Sequence, residues 1–229
     1  MVLIKLIKVF IQVRLSSKRL PKKVFKKIIY NKHTLDIMTQ KLSKLFKKKD
    51  IVILTSKNKS DDLIEKFCNQ KKIKYYRGSL TNVSQRFLKA LKIHKCEYFV
   101  RISADSPLLD LRVIKLLMKH VKRNKYDIIT NVYPRSFPKG QSVEIIRSKI
   151  FIENFKEFKN KINLEHVTSF FYNLKNNLII KNVKSKKDYS KYSLALDTKE
   201  DLVKIQKILS ITKNTNLSFL RYIKIIKGF

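Results

Sequence analysis

Between Gln12 and Lys23 the chain reads Q-V-R-L-S-S-K-R-L-P-K-K directly after an apolar run. Arg14, Arg19, Lys22 and Lys23 thereby share one short turn leaving a predicted first strand. Open α/β sheets bind their ligands in the crevice at the strand ends, so this turn is placed to grip a polyphosphate. Far downstream, Asp105 and Asp197 each close an apolar run and are each followed at once by helix-starting residues. Two carboxylates converging on that sheet edge suit Mg²⁺, which is commonly held by one or two protein carboxylates while substrate phosphates complete its octahedron. Singly, either aspartate reads more simply as a helix cap. Read as a pair facing the basic turn, they supply what a triphosphate needs when its charge must be shared while pyrophosphate leaves. No glycine lies between Met1 and Arg77, which excludes Walker-type and G-x-G-x-x-G phosphate loops. The grip must come from side chains and helix-start amides.

These residues need a scaffold, and the pattern around them supplies one. Short runs rich in Ile, Val, Tyr and Phe alternate with segments of helical period, the signature of β-α-β units and a largely parallel sheet. Strands are predicted over 3–13, 51–55, 74–76, 97–102, 126–130 and 192–196. Leu35, Met38, Leu42, Leu45 and Phe46 line one helical face, and Leu63, Ile64, Phe67 and Cys68 another, with Asp62 and Glu65 at capping spacing. A further stripe, Val83, Phe87, Ala90 and Leu91, precedes the strand that ends at Asp105, and Asp110 is positioned to cap the next helix. The alternation weakens around Pro134, Pro138 and Gly140, which reads as an excursion over the ligand edge. After Asp197, Thr198 and Asp201 form a capping box for the last helices.

Size and composition bound the answer. A chain of 229 residues fits one large α/β domain. With 53 Lys+Arg against 17 Asp+Glu the net charge is +36. The lysines are spread almost evenly, without a basic tail, so a solvated lysine surface is the simpler reading and a nucleic-acid partner is not expected. Cys68 and Cys96 are too few and too far apart for a disulfide framework or a C-x-x-C ligand pair, which makes a reduced, cytoplasmic setting the expectation. No run approaches the roughly 18 apolar residues of a bilayer span, so no membrane insertion is expected.

Further blocks now join the first: R-G-S-L-T-N-V-S-Q-R-F from Arg77, R-I-S-A-D-S-P-L-L-D from Arg101, T-N-V-Y-P-R-S-F-P-K-G-Q-S-V-E from Thr130, E-H-V-T from Glu165 and L-D-T-K-E-D-L from Leu196. In this order and spacing they resemble the cytidylyltransferases of the spore coat polysaccharide biosynthesis type, relatives of 3-deoxy-manno-octulosonate and acylneuraminate cytidylyltransferases. The resemblance implies a three-layer α/β/α sandwich of the nucleotide-diphospho-sugar transferase type, with a mixed, mostly parallel sheet. The implied reaction moves CMP from CTP to a sugar, acidic sugars among the candidates, and releases pyrophosphate. Arg14 and Lys23 match the family's triphosphate contacts, and Asp105 and Asp197 its Mg²⁺ ligands. Gln12, Ser16, Arg77 and Arg86 fall where the family holds base and ribose. Asn131, Gly140, Glu144, Glu165 and His166 fall on the side that faces the sugar, His166 being read equally well as a structural histidine. By the same resemblance residues 1–131 form a nucleotide-binding half, 132–190 a sugar-binding excursion and 191–229 a closing strand and helices, in a homodimer serving polysaccharide or surface glycan synthesis. Two positions depart from the family's habit of P-G-K and G-D: Lys22 and Ala104 stand where it has glycine. Two alternatives stay open, a same-fold nucleotidyl- or glycosyltransferase using another nucleotide, and a basic nucleic-acid-binding protein on this scaffold.

Overall fold

The structure, a computed structural model, describes residues 6–123, 125–173 and 177–228. In chain order the elements are β1 Ile7–Gln12, β2 Lys27–Ile29, β3 Lys32–His33, α1 Thr34–Leu42, β4 Ile51–Ser56, α2 Asp62–Lys71, β5 Lys74–Gly78, α3 Val83–Ile93, β6 Tyr98–Ser103 and α4 Leu111–Val121. There follow β7 Ile128–Thr130, β8 Glu144–Arg147, α5 Ser148–Asn154, α6 Lys161–Glu165, β9 Ile180–Asn182, α7 Lys199–Thr212 and α8 Phe219–Ile226. The main sheet has seven strands in the order β5-β4-β1-β6-β8-β7-β9. Within it β8 alone runs against its neighbours. The expected mixed, mostly parallel sandwich is therefore present. β2 and β3 form a separate small hairpin.

Strands buried on both faces read as continuous apolar runs, which is why Ile51–Ser56 is buried throughout. Successive side chains of β1 point to opposite layers: Val9 and Ile11 pack with Leu35, Met38, Ile64, Val113 and Ile205. Phe10 lies on the other face with Phe87, Phe99 and Phe151. Thus α1, α2, α4, α7 and α8 cover one side and α3 and α5 the other.

Three expectations are corrected. The first strand begins at Ile7, and the part of its predicted span before residue 6 lies outside the described residues. Tyr192–Leu196 is not a sheet strand, because its neighbours are loop segments rather than a strand. Its backbone bonds run to Lys139 and Asp105: Lys139 N–H to Tyr192 O (2.9 Å), Leu194 N–H to Lys139 O (2.8 Å) and Leu196 N–H to Asp105 O (2.8 Å). Asp62 and Glu65 do not cap α2; both receive the Arg77 guanidinium, and the N-cap is Asp61. The Asp110 cap and the Thr198–Asp201 capping box form as the spacing predicts.

Lys41 is a lysine in the core. It falls with Thr34, Ile37 and Met38 on the buried face of α1 and is 2% exposed. Its ammonium donates to Pro107 O (3.1 Å) and Thr215 O (2.5 Å), tying α1 to the loop beyond Asp105 and to the α7–α8 connection. Burial lowers its pKa to about 7, with Asp110 opposing and Lys44 and Arg112 adding to the shift. Below about pH 7 the amine is charged both folded and unfolded; above it, up to about 10.5, only the unfolded chain keeps the proton. The contribution of Lys41 to stability then rises with pH across that window. Relative to Lys41→Met, which has no such proton, the wild type should gain about 1–3 kcal/mol between pH 7 and 9. Urea unfolding of both proteins at each pH measures the difference, and a flat difference would contradict the assignment.

Candidate active site

The basic turn is held by its apolar residues while its charges point outward. Leu15, Leu20 and Val24 are buried, whereas Arg14, Lys18, Arg19 and Lys22 are exposed. At its root, Val13 N–H continues the β1–β4 pairing onto Leu54 O (3.0 Å), and Leu15 N–H reaches the buried Asp61 carboxylate (2.8 Å). Asp61 also accepts from Thr55 Oγ1 (3.0 Å), Ser56 N–H (3.1 Å) and Ser56 Oγ. The turn closes through Lys22 N–H to Leu15 O (3.3 Å).

Lys22 adopts φ 53°, ψ 29°, the left-handed region in which glycine is at ease and a side chain is strained. The position at which the resembled family carries glycine is one where the backbone favours it. Lys22→Gly is expected to change stability by less than about 1 kcal/mol, since relief of the left-handed strain, roughly 1 kcal/mol, is offset by the extra chain entropy of glycine in the unfolded state. Thermal unfolding checks this; a loss above about 2 kcal/mol would mean that the Lys22 side chain itself holds the turn.

Opposite the turn, β6 delivers Asp105 and the segment before α7 delivers Asp197. The bond from Leu196 N–H to Asp105 O sets their two backbones side by side. Asp197 N–H and Thr198 N–H both bond to Asp201 Oδ2 (3.1 and 3.2 Å), so the capping box also fixes the aspartate before it. The Lys23 ammonium lies between the two carboxylates, 2.7 Å from Asp105 Oδ2 and 2.8 Å from Asp197 Oδ1. Burial works against that charge, but Asp105 and then Asp197 outweigh it and raise the Lys23 pKa above 10.5. Arg19 Nη2 adds a looser contact to Asp197 at 3.5 Å.

A cation held by one oxygen from each of two aspartates is a stand-in for a metal ion, so the donor set fits Mg²⁺. Among the described residues no third His, Cys, Asp or Glu joins them. This is the sparse protein contribution expected of a magnesium site finished by phosphates and water.

The whole assembly borders a cleft of about 800 Å³. Gln12, Arg14, Ser16, Lys23, Arg86, Asp105, Glu165, His166 and Asp197 all line it. Glu165 faces the basic turn, 4.0 Å from Arg14 Nη2, and His166 is exposed beside it. Arg86, on α3, is 1% exposed, and its Nε and Nη1 atoms have no hydrogen-bond partner. Burial brings its pKa down to about 10, with Asp61 opposing and Arg14 adding. A desolvated guanidinium without a bonded anion is costly, and a group of this kind in a cleft wall marks a functional site more often than a structural one.

The remaining predicted residues lie outside the cleft lining. Arg77 is spent on Ser56 O (2.9 Å), Asn58 O (3.0 Å), Asp62 (2.6 Å) and Glu65, clamping the end of β4 to α2. Asn131 is fully buried and bonds Gln141 O (2.7 Å) and Val143 N–H (2.9 Å). Gly140 has φ +86°, and a Cβ there would sit 2.6 Å from the Leu194 carbonyl carbon, so glycine is required for close passage of two backbones. Glu144 is buried, pairs with Arg101 and accepts from the Tyr172 hydroxyl. Burial, then the Glu144 carboxylate, pushes the Tyr172 phenol well above the ordinary tyrosine range.

Three residues that sequence reasoning passed over support the site. Arg101 links Glu144 to Gln12, donating to Gln12 Oε1 at 3.2 Å, so a buried carboxylate orients a side chain of the cleft. Its signal was a lone cation inside the apolar run of β6. Nothing in the sequence distinguishes Asp61 from Asp62 beside it. Lys41 showed itself only as a charge on an otherwise apolar helical face.

A sequence profile described as Cytidylyltransferase matches residues 8–226. The chain belongs to the cytidylyltransferase family. Among the family's similar proteins, the spore coat polysaccharide biosynthesis protein SpsF of Bacillus subtilis is 28% identical over 206 residues, covering 86% of this chain and 83% of that protein. An uncharacterised protein of Methanocaldococcus jannaschii is 32% identical over 162 residues. The match spans 71% of this chain and 65% of that relative's length. A solved cytidylyltransferase from Leptospira borgpetersenii superposes with a TM-score of 0.89 at 25% identity, covering 98% of this chain and 94% of that one. CMP:2-keto-3-deoxy-manno-octonic acid synthetase, solved with CTP, shares the fold at a TM-score of 0.68 and 12% identity, with 90% and 99% covered. These neighbours establish the nucleotide-diphospho-sugar transferase type of fold for the family member described here.

Proposed function

We propose that this cytidylyltransferase transfers CMP from CTP to a sugar hydroxyl, with release of pyrophosphate. The observation that carries the reading is the meeting of Asp105 and Asp197 around a single cation position, against the Lys23 end of the basic turn. Asp105 and Asp197 would hold Mg²⁺, which when bound screens phosphate charge and lowers the pKa of a coordinated hydroxyl. Arg14 and Lys23 bind the triphosphate and stabilise the departing pyrophosphate. Gln12, Ser16 and Arg86 border the part of the cleft assigned to base and ribose. Glu165 and His166 line the same cleft, Glu165 4.0 Å from Arg14 Nη2, and are assigned to the sugar.

SpsF contributes the expectation of a polysaccharide or surface glycan product, and the synthetase solved with CTP the expectation of that nucleotide. The enzyme is further proposed to act in the cytoplasm as a homodimer. Among the described residues no helix is long and apolar enough to cross a membrane. Paired acids in a cleft have no use in binding a phosphate backbone, which disfavours the nucleic-acid alternative. The test is pyrophosphate release with Mg²⁺ and CTP, UTP, GTP or ATP against a panel of sugars including sugar acids, with products read by mass spectrometry. A CMP-sugar is the expected product. A strong preference for another nucleotide would move the assignment to the same-fold alternative.

A further inference from the structure

The arrangement of Lys23 gives this side chain a second task. Its ammonium contacts both candidate metal ligands at once, at 2.7 and 2.8 Å, and its side chain is only 13% exposed. An ammonium and a divalent cation cannot share the same two oxygens, because like charges at that separation repel strongly in a partly desolvated site. We propose that Lys23 is an exchangeable internal counter-ion: it holds Asp105 and Asp197 together until a divalent cation displaces it, and the freed ammonium then becomes available to the nucleotide's phosphates.

Two consequences follow from the charge balance. Without nucleotide, a metal ion must compete with Lys23 for the carboxylates, so its affinity is held down. With a triphosphate present the displaced ammonium gains new anionic partners, so metal and nucleotide strengthen each other's binding reciprocally. The second consequence rests on the proposed CTP reading; the first does not. Arg19 is a weak substitute for Lys23, because at 3.5 Å and 68% exposed its contact with Asp197 is screened by water.

Mn²⁺ binding to the whole protein, followed by electron paramagnetic resonance of the free ion at pH 8, tests the exchange directly. Lys23→Met keeps the aliphatic stem and removes the charge; it should bind Mn²⁺ about tenfold more tightly than wild type in the absence of nucleotide, a coupling of ordinary size. Lys23→Arg, which keeps a cation there, should not show that gain. Adding CTP should tighten Mn²⁺ binding more in the wild type than in Lys23→Met. Equal, weaker or absent Mn²⁺ binding by Lys23→Met, with its circular dichroism unchanged, overturns the proposal. Failure of the CTP reading has a separate signature: CTP would then leave Mn²⁺ affinity unchanged in every variant, while the nucleotide-free difference persisted.

Discussion

Replacing Asp105 by Asn should lower CTP-dependent pyrophosphate release by about a hundredfold or more. The amide keeps the size of the side chain but contributes no negative charge, so the proposed metal position loses one of the two acids that define it. Lys23 loses one of its two anionic partners in the same change. The expected loss is catalytic rather than structural. Asp105 is 23% exposed and lies at a cleft wall, and its backbone carbonyl, which receives Leu196 N–H, is unaltered. Thermal unfolding of the variant should therefore remain close to wild type. Near-normal pyrophosphate release with an intact fold would refute the metal role of Asp105.

Asp61→Ala should cost about 3–5 kcal/mol of stability, the scale on which a buried ionic group's bonded partners are stranded. The carboxylate serves Leu15 N–H, Thr55 Oγ1, Ser56 N–H and Ser56 Oγ, and it is fully buried. Alanine leaves these donors without an acceptor in a place water does not reach, and each orphaned donor carries its own desolvation penalty. Arg86 loses its nearest opposing charge as well. Asp61→Asn keeps the shape and one acceptor oxygen, so its loss should be smaller, about 1–3 kcal/mol. Urea unfolding ranks the two variants, and a loss under 1 kcal/mol for Asp61→Ala would show that the β4 end holds the basic turn by other means. Leu15 begins that turn, so the Asn variant should also bind triphosphate more weakly.

Local patterns explain which parts of this arrangement could be read in advance. The strands that carry Gln12 and lead to Asp105 announce themselves because a central strand covered on both faces is mostly apolar, Lys8 and Arg101 being the exceptions. The Thr198–Asp201 box and the Asp110 cap are contained within four residues of sequence, and both form. The convergence of Asp105 and Asp197 follows from their common place at strand-like ends, although the segment before Asp197 pairs with loops rather than with the sheet.

What sequence spacing could not reveal depends on long-range partners. Arg77 looked like a ligand-facing cation, and only the approach of α2 shows that Asp62 and Glu65 occupy it. Glu144 belongs to a strand predicted only as part of an irregular excursion, and its engagement with Arg101 and Tyr172 joins three distant segments. Asn131 and Gly140 look like site residues because they sit among such residues in sequence. Their work is to shape the backbone that passes Leu194.

The bond from Leu196 N–H to Asp105 O also sets an order of assembly. Every strand of the seven-stranded sheet is complete by Asn182, whereas Asp197 leaves the ribosome later. Asp105 is therefore made together with the sheet, and its partner carboxylate arrives only with the segment that leads into α7. Because α7 and α8 also cover one face of that sheet, docking of this last segment both closes the core and brings the two carboxylates together.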